Sequence, residues 1–252
     1  MVWGLSGQGV RMNFLPPIFS GARRDFLQNG YVALPQALPA GLTEQWREKS
    51  GQLRDGSLMI KRSEGGFELV YRVVTGEVIQ AQWPELFAFY KDSQVLEWIS
   101  NISGENEICT SSSLRSAVNL NIMESTDSVY RWHFDAVPYT MLIYLNDIAA
   151  TDGGAMEMVP DCRPHRAPDL TRSHIVQLWP RAGTVVLMDG TRCYHHVSQL
   201  LRPYTRLSIP LVYPNSKEVD RPAGLDAYLY RESDIPDATS AAKGSFKNTS
   251  KH

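Results

Sequence analysis

The segment Arg131-Trp-His-Phe-Asp135 sets an imidazole and a carboxylate two residues apart. Read as a strand, that spacing turns His133 and Asp135 to one face and Trp132 and Phe134 to the other. The pair supplies two sides of an octahedral metal site, although a lone His-x-Asp is common without one. The weight comes from further along the chain. Ala182-Gly-Thr-Val-Val-Leu-Met-Asp-Gly-Thr-Arg-Cys-Tyr-His-His-Val-Ser198 reads as an apolar strand, an Asp-Gly turn and a histidine pair. One more imidazole makes two histidines and one carboxylate on one side of a metal, with three positions open. That donor set suits non-haem Fe(II) chemistry with dioxygen.

Neighbours on a strand face opposite ways, so only one of His195 and His196 can join the set. The distance from Asp189-Gly190 favours His195, whereas the interval to Arg206 suits His196 slightly better. Arg206 stands eleven residues past His195, and Ser208 shares its strand face. An arginine beside a metal pocket makes sense if one ligand is a dicarboxylate. Its planar fork can grip the far carboxylate bidentately, with a hydroxyl adding a further hydrogen bond. Asn119 and Asn121 precede the His-x-Asp turn with side chains on one face, and are candidates to line the same pocket. Tyr144 shares a strand face with Leu142 and Thr140 and can also reach it. Trp132 reads as a brace behind the metal strand. His165 and His174 have no partner spacing.

These residues need a rigid frame. Phe19 to Gly30 carries helix punctuation, a Ser near its start and a Gly just past its end. Tyr31 to Pro35 reads as a short strand cut off by proline. Leu42–Leu53 and the segments 83–92 and 94–102 carry apolar residues at helical spacing. The first half therefore reads as mostly helical. From about residue 107 short β-rich runs take over: Ala117–Met123, Tyr139–Leu145, Ala155–Val159, Ile175–Leu178, Thr184–Met188 and Arg206–Tyr213. Turn clusters such as Asp152-Gly-Gly154 separate them. Such spacing predicts an antiparallel sandwich or open barrel. Pro210 cannot donate to a ladder, so an edge or a bulge is expected there.

The stretch from about 117 to 213 resembles the 2-oxoglutarate/Fe(II)-dependent dioxygenase superfamily. The His-x-Asp, the Tyr139–Leu145 strand with Asn146-Asp147, the Asp152-Gly-Gly154 turn, the distal histidine and Arg206-Leu-Ser208 follow in that family's order. The resemblance implies a mainly β fold, a double-stranded β-helix (jelly roll, cupin-like) with a helical N-terminal layer. It implies that His133, Asp135 and His195 bind Fe(II), since the family often reads His-x-Val there. It also implies that Arg206 and Ser208 hold the tail carboxylate of 2-oxoglutarate, with O2 as co-substrate. Halogenating members have a small residue where Asp135 stands, so hydroxylation or a related oxidation is the expectation. A further similarity, through Val70-Tyr-Arg-Val-Val-Thr-Gly76 and Trp83-Pro84, is to bacterial members acting on small amino acids. On that analogy Arg72 grips a substrate carboxylate.

The organisation expected is one oxygenase domain over 1–231, with helical support over about 17–106 and the jelly-roll core over about 107–215. Residues 232–252, nearly devoid of apolar side chains, are expected to be disordered. The 252-residue chain has 43% hydrophobic and 21% charged residues, ordinary globular usage. Its 25 basic and 27 acidic side chains give a net charge of −2, no electrostatic reason to expect nucleic acid or an anionic membrane. Three scattered cysteines read as reduced thiols of a cytoplasmic protein. The N-terminus lacks a basic start followed by a long apolar run, so no secretion signal is expected. The expected partner is a small-molecule substrate. Two competing readings share these residues: a non-catalytic jelly-roll binding protein and a zinc hydrolase. The first has no need of a triad plus a dicarboxylate clamp; the second needs a general base, and no His-Glu-x-x-His is present.

Overall fold

A computed structural model describes residues 20–64, 67–162, 167–216, 226, 229 and 230. The expected tail, 232–252, and His165 lie outside them. Among the described residues, eleven strands form two antiparallel sheets with helices packed on one side. The larger sheet runs β1 (Tyr31–Leu34), β9 (Val185–Asp189), β6 (Tyr139–Tyr144), β11 (Arg206–Tyr213), β4 (Leu120–Met123), β3 (Phe67–Val74), β2 (Leu58–Glu64). The smaller runs β5 (Tyr130–His133), β10 (Tyr194–Val197), β7 (Met156–Val159), β8 (Val176–Leu178). Mainly β with flanking helices, the two facing sheets are the jelly roll expected.

Period-two alternation decides what each face of the larger sheet does. Met141, Ile143, Ile209, Leu211, Val185 and Leu187 face the helices. Thr140, Leu142, Tyr144, Arg206, Ser208, Pro210 and Val212 face the space between the sheets. On the helical side lie α1 (Ser20–Asn29), α2 (Ala40–Leu53), α3 (Gly76–Gln82), α4 (Pro84–Lys91) and α5 (Ser93–Ser103). Asp92 caps α5 by accepting from the Gln94 amide at 2.7 Å, and Gly104 ends it in the left-handed conformation. Trp46 sits edge-on to Trp83 and Phe89, with ring centroids 5.8 and 5.5 Å away, tying α2 to α4. Tyr90 reaches from α4 to donate to the Val212 carbonyl at 2.9 Å, locking the helical layer to the site-bearing strand β11.

Three expectations are corrected. The first half is mostly helical, as expected, but it also holds β2 and β3, a long hairpin that extends the larger sheet. Leu58, Ile60, Tyr71 and Val73 do alternate, but the polar run Lys61-Arg-Ser-Glu64 hides the strand. The sheet therefore draws β1, β2 and β3 from the segment read as helical support. The run Ala117–Met123 is not one strand: Leu114–Ala117 is a turn of helix (α6), and β4 begins at Leu120. Pro210 lies in a central strand at regular register with Leu142. Its carbonyl accepts from Asn119 N–H at 3.1 Å, and the pairing runs on in the same register to the Val118–Leu211 bridge. The missing N–H therefore falls at the thin end of the β4 pairing, inside a central strand, with neither an edge nor a bulge.

The turn Asp152-Gly-Gly154 ties the sheets together. Gly153 has φ of 75°, and a Cβ there would lie 2.3 Å from the Gln199 carbonyl oxygen and 2.6 Å from the Leu201 nitrogen. Gly153→Ala is expected to destabilise the fold by at least about 2 kcal/mol, from left-handed strain plus backbone collision. A fall in Tm of roughly 4–8 °C in a thermal melt would register it. An unchanged Tm would remove this turn from the determinants of the fold.

Candidate metal centre

β5 and β10 pair so that His133 and His195 stand directly opposite each other, ring centroids 4.2 Å apart. The ladder then slips. His195 faces His133, but Val197 faces Tyr130, so Arg131 and Trp132 together oppose His196. This bulge resets parity, and Tyr130 joins His133 in facing the pocket. Asp135 arrives differently from the expectation. β5 ends at His133, so Asp135 lies beyond the strand rather than on its face. Its amide donates to the Gly190 carbonyl at 2.9 Å, which fastens the loop to the end of β9. The carboxylate then turns in between the sheets, where Thr140 Oγ1 donates to Oδ2 at 2.7 Å.

The donor atoms are ready for a cation. Nδ1 of His133 donates to the Arg131 carbonyl at 2.6 Å, and Nδ1 of His195 to the Cys193 carbonyl at 2.9 Å. Each Nδ1 thus holds the proton, which leaves Nε2 as a lone-pair donor. These Nε2 atoms lie 3.5 and 3.7 Å from Oδ1 of Asp135. The three ligand atoms fall within 4.8 Å of one another, the one such cluster among the described residues. Bonds of about 2.1 Å place adjacent ligands of an octahedral ion about 3 Å apart, so a small contraction closes the set on a metal. The residues fit the cation their types imply.

Electrostatics agree. Burial pushes His195 down to about 4, with the neighbouring His133 adding to it, so its ring is neutral at pH 7. Enclosure opposes the charged form of His133, but Asp135 outweighs it and raises that pKa. Burial would raise Asp135, yet His195, His133 and Thr140 hold it well below the usual carboxylate range. The side chains of His133, Asp135 and His195 are 42%, 22% and 10% exposed, so the centre opens on the His133 side.

A cavity of about 150 Å³ leads inward from these residues, sized for a small organic acid. Its walls include Leu142, Met156, Val197 and Pro210, and its inner end holds Arg206 and Ser208. Arg206 is 2% exposed. Its guanidinium donates to the Gly154 carbonyl at 3.0 Å, to Ser208 Oγ at 3.1 Å and, weakly, to the Tyr144 hydroxyl at 3.5 Å. Among the described residues no carboxylate pairs with it. A buried cation without an anion is costly, so this end of the cavity is built for a negative group.

The remaining candidates separate. Asn121 lines the cavity. Asn119 does not: it precedes β4, donates to the carbonyls of Arg115 and Val118, and accepts from the Tyr230 hydroxyl. Its side chain completes local backbone bonding. Arg72 is also elsewhere, 3.6 Å from Glu124, which takes a bidentate pair from Arg54. Arg72 pairs across the ladder with Ile122, whose side chain faces the helices, so it cannot reach the metal centre from that side. His196 turns away to donate to Glu157 at 2.8 Å, which leaves His195 in the cluster. Thr140, Gly190 and Tyr130 were given no role at the metal in the sequence. The Asp-Gly turn was a trace of Gly190, but its contact with Asp135 spans 55 positions.

No curated protein matches the chain. Solved structures do. The 2-oxoglutarate-dependent carbocyclase SnoK of nogalamycin biosynthesis is 20% identical with a TM-score of 0.66, over 85% of this chain and 90% of that one. The epimerase SnoN, solved with Fe3+, 2-oxoglutarate and nogalamycin RO, is 18% identical with a TM-score of 0.64, over 92% of both. HygX from Streptomyces hygroscopicus, solved with nickel, 2-oxoglutarate and hygromycin B, is 16% identical with a TM-score of 0.61, over 81% of this chain and 90% of that one. At these identities the likeness concerns the fold, that of the non-haem iron/2-oxoglutarate oxygenases. The sequence pattern of one family extends further, matching residues 18–228, which span helical layer, both sheets and the metal cluster alike. The chain belongs to the Halogenase D family.

Proposed function

We propose that the protein is a non-haem Fe(II)/2-oxoglutarate-dependent oxygenase that hydroxylates an unactivated C–H bond of a small amino-acid-like or natural-product substrate. One observation carries it: a two-histidine, one-carboxylate cluster shares a cavity with a buried arginine that has no carboxylate of its own among the described residues. His133, Asp135 and His195 would hold the iron, and Arg206 with Ser208 the far carboxylate of 2-oxoglutarate. Asn121 and Tyr144 would line the cosubstrate. Bound there, iron and 2-oxoglutarate supply dioxygen activation, with succinate and CO2 released.

The chain's own share is positional. The two Nδ1–H···O=C bonds fix the ring planes and aim both Nε2 atoms. Thr140 occupies Oδ2 of Asp135 and leaves Oδ1 toward the cluster. Apolar walls between the metal end and Arg206 keep water from the aliphatic middle of a bound dicarboxylate. Substrate would enter at the exposed His133 side.

Although the family is named for a halogenase, Asp135 favours oxygenation. Its carboxylate is hydrogen-bonded and fitted against Gly190, and so occupies the side that a halide would need. Among the described residues no helix is long and apolar enough to cross a membrane.

Succinate formed from 2-oxoglutarate under air with added Fe(II) tests this reading. Wild type should turn over, slowly even without substrate, and His133→Ala and Asp135→Ala should each lose at least about 100-fold. Absence of both turnover and 2-oxoglutarate binding in the wild type would sink the oxygenase reading and leave a binding protein.

A further inference from the structure

Behind the metal histidines, on the opposite face of the small sheet, lies a second cross-strand row. His196 is paired in register with Glu157, and Glu157 with Gln177. His196 donates from Nε2 to Glu157 Oε2 at 2.8 Å, and Gln177 donates to Glu157 Oε1 at 2.7 Å. The Trp132 ring stacks on His196, with centroids 4.1 Å apart and planes at 24°. The four residues come from β5, β10, β7 and β8, so the row crosses the whole sheet. Its first two members, on β5 and β10, are the chain neighbours of the histidines on the other face: Trp132 precedes His133, and His196 follows His195.

We infer that Trp132, His196, Glu157 and Gln177 are positioning residues that set the separation of His133 and His195, and thereby the affinity and geometry of the metal centre. The inference rests on the metal reading of the three-residue cluster. β5 is an edge strand, held to β10 by paired positions on either side of a bulge. A bulged edge has little ladder of its own to resist sliding. Sliding β5 along β10 would carry His133 past His195. The stack of Trp132 on His196 opposes that motion, and Glu157 prevents the His196 ring from turning with it. The side chains of His196 and Glu157 are 13% and 18% exposed, shielded enough for their bond to hold the ring. The adjacent histidines thus divide the work, one facing the metal and the other the row behind it.

Cobalt(II) titration of the full chain, read by its visible d–d band, tests the inference. Glu157→Ala is expected to weaken cobalt binding about 10-fold and to shift the band, as loss of outer-shell partners does in other metal sites. Glu157→Gln should restore both. Its amide oxygen can accept from His196, and the Gln177 amide can turn over to accept from the new NH2. Gln177→Ala, which removes only the outer bond, should move both readings in the same direction by a smaller factor. A Glu157→Ala protein with wild-type affinity and band would overturn the inference, even if its Tm fell, because the row would then serve stability alone. His133→Ala separates the two levels. If it loses cobalt while Glu157→Ala keeps it unchanged, the metal reading stands and the positioning role fails. If wild type and His133→Ala bind alike, the metal reading itself fails and takes the positioning role with it.

Discussion

Gly190→Ala should deprive the protein of its metal while leaving the fold in place. A Cβ at this position would lie 2.1 Å from Oδ2 of Asp135 and 2.5 Å from its Cβ and Cγ. Neither side has room to retreat, because Asp135 N–H donates to the Gly190 carbonyl and Gly190 N–H donates to the Pro138 carbonyl at 2.7 Å. The softest response is for the carboxylate to swing out, giving up its bond to Thr140 and its place beside the histidines. Gly190 does not have the positive φ that strains an L-residue, so the collision is the principal effect of alanine. Loss of one ligand of three should weaken Fe(II) or Co(II) binding by at least about 100-fold, about 2.7 kcal/mol. Titration calorimetry on protein with native circular dichroism measures it. Wild-type affinity in this variant would mean that Asp135 is not a ligand.

The second large effect concerns Arg206. Replacing it with methionine should abolish binding of 2-oxoglutarate, by at least about 100-fold, and leave Tm unchanged or higher. The two halves share one cause. In the free protein the guanidinium is buried against a carbonyl, a hydroxyl and a thioether, with no counter-charge among the described residues. Solvation lost on burial is not recovered, and an apolar side chain of similar length avoids that cost. A dicarboxylate recovers it by forming a charge-assisted, bidentate pair in a dry cavity, which methionine cannot do. Thermal melts with and without 2-oxoglutarate read both quantities. The wild type should gain stability with ligand, and Arg206→Met should gain none. A large fall in Tm without ligand would show that Arg206 serves the fold first, against this assignment.

Much of the site could be read from the sequence because the ligands sit on strands whose alternation is local. His133, the histidine pair, Arg206 and Ser208 announce themselves by residue type and two-residue spacing, and Arg206–Tyr213 forms the strand expected over the same residues. Four of the helices, α1, α2, α4 and α5, were equally legible, whereas α3 and α6 were not. Their apolar stripes repeat at the helical period, and Gly30 and Gly104 punctuate their ends with positive φ.

What the tertiary structure decided are the contacts that join distant parts of the chain. Strand parity could not separate His195 from His196, because either face of β10 was available. The choice came from which sheet neighbours stood opposite, His133 on one face and Trp132 and Glu157 on the other. Asp135 had seemed to share a strand face with His133, but β5 ends before it, and the carboxylate is aimed by Thr140 and by the room that Gly190 leaves. Arg72 and Asn119 had plausible types and positions near the motif. One was claimed by Glu124 outside the cavity and the other by backbone carbonyls and Tyr230. Residue type and period are properties of a few consecutive positions, and they named the chemistry. Which face looks inward, and which partner satisfies a polar group first, depend largely on other elements of the fold, 39 positions away for His196 and Glu157 and 55 for Asp135 and Gly190, and only the packed sheets bring those together.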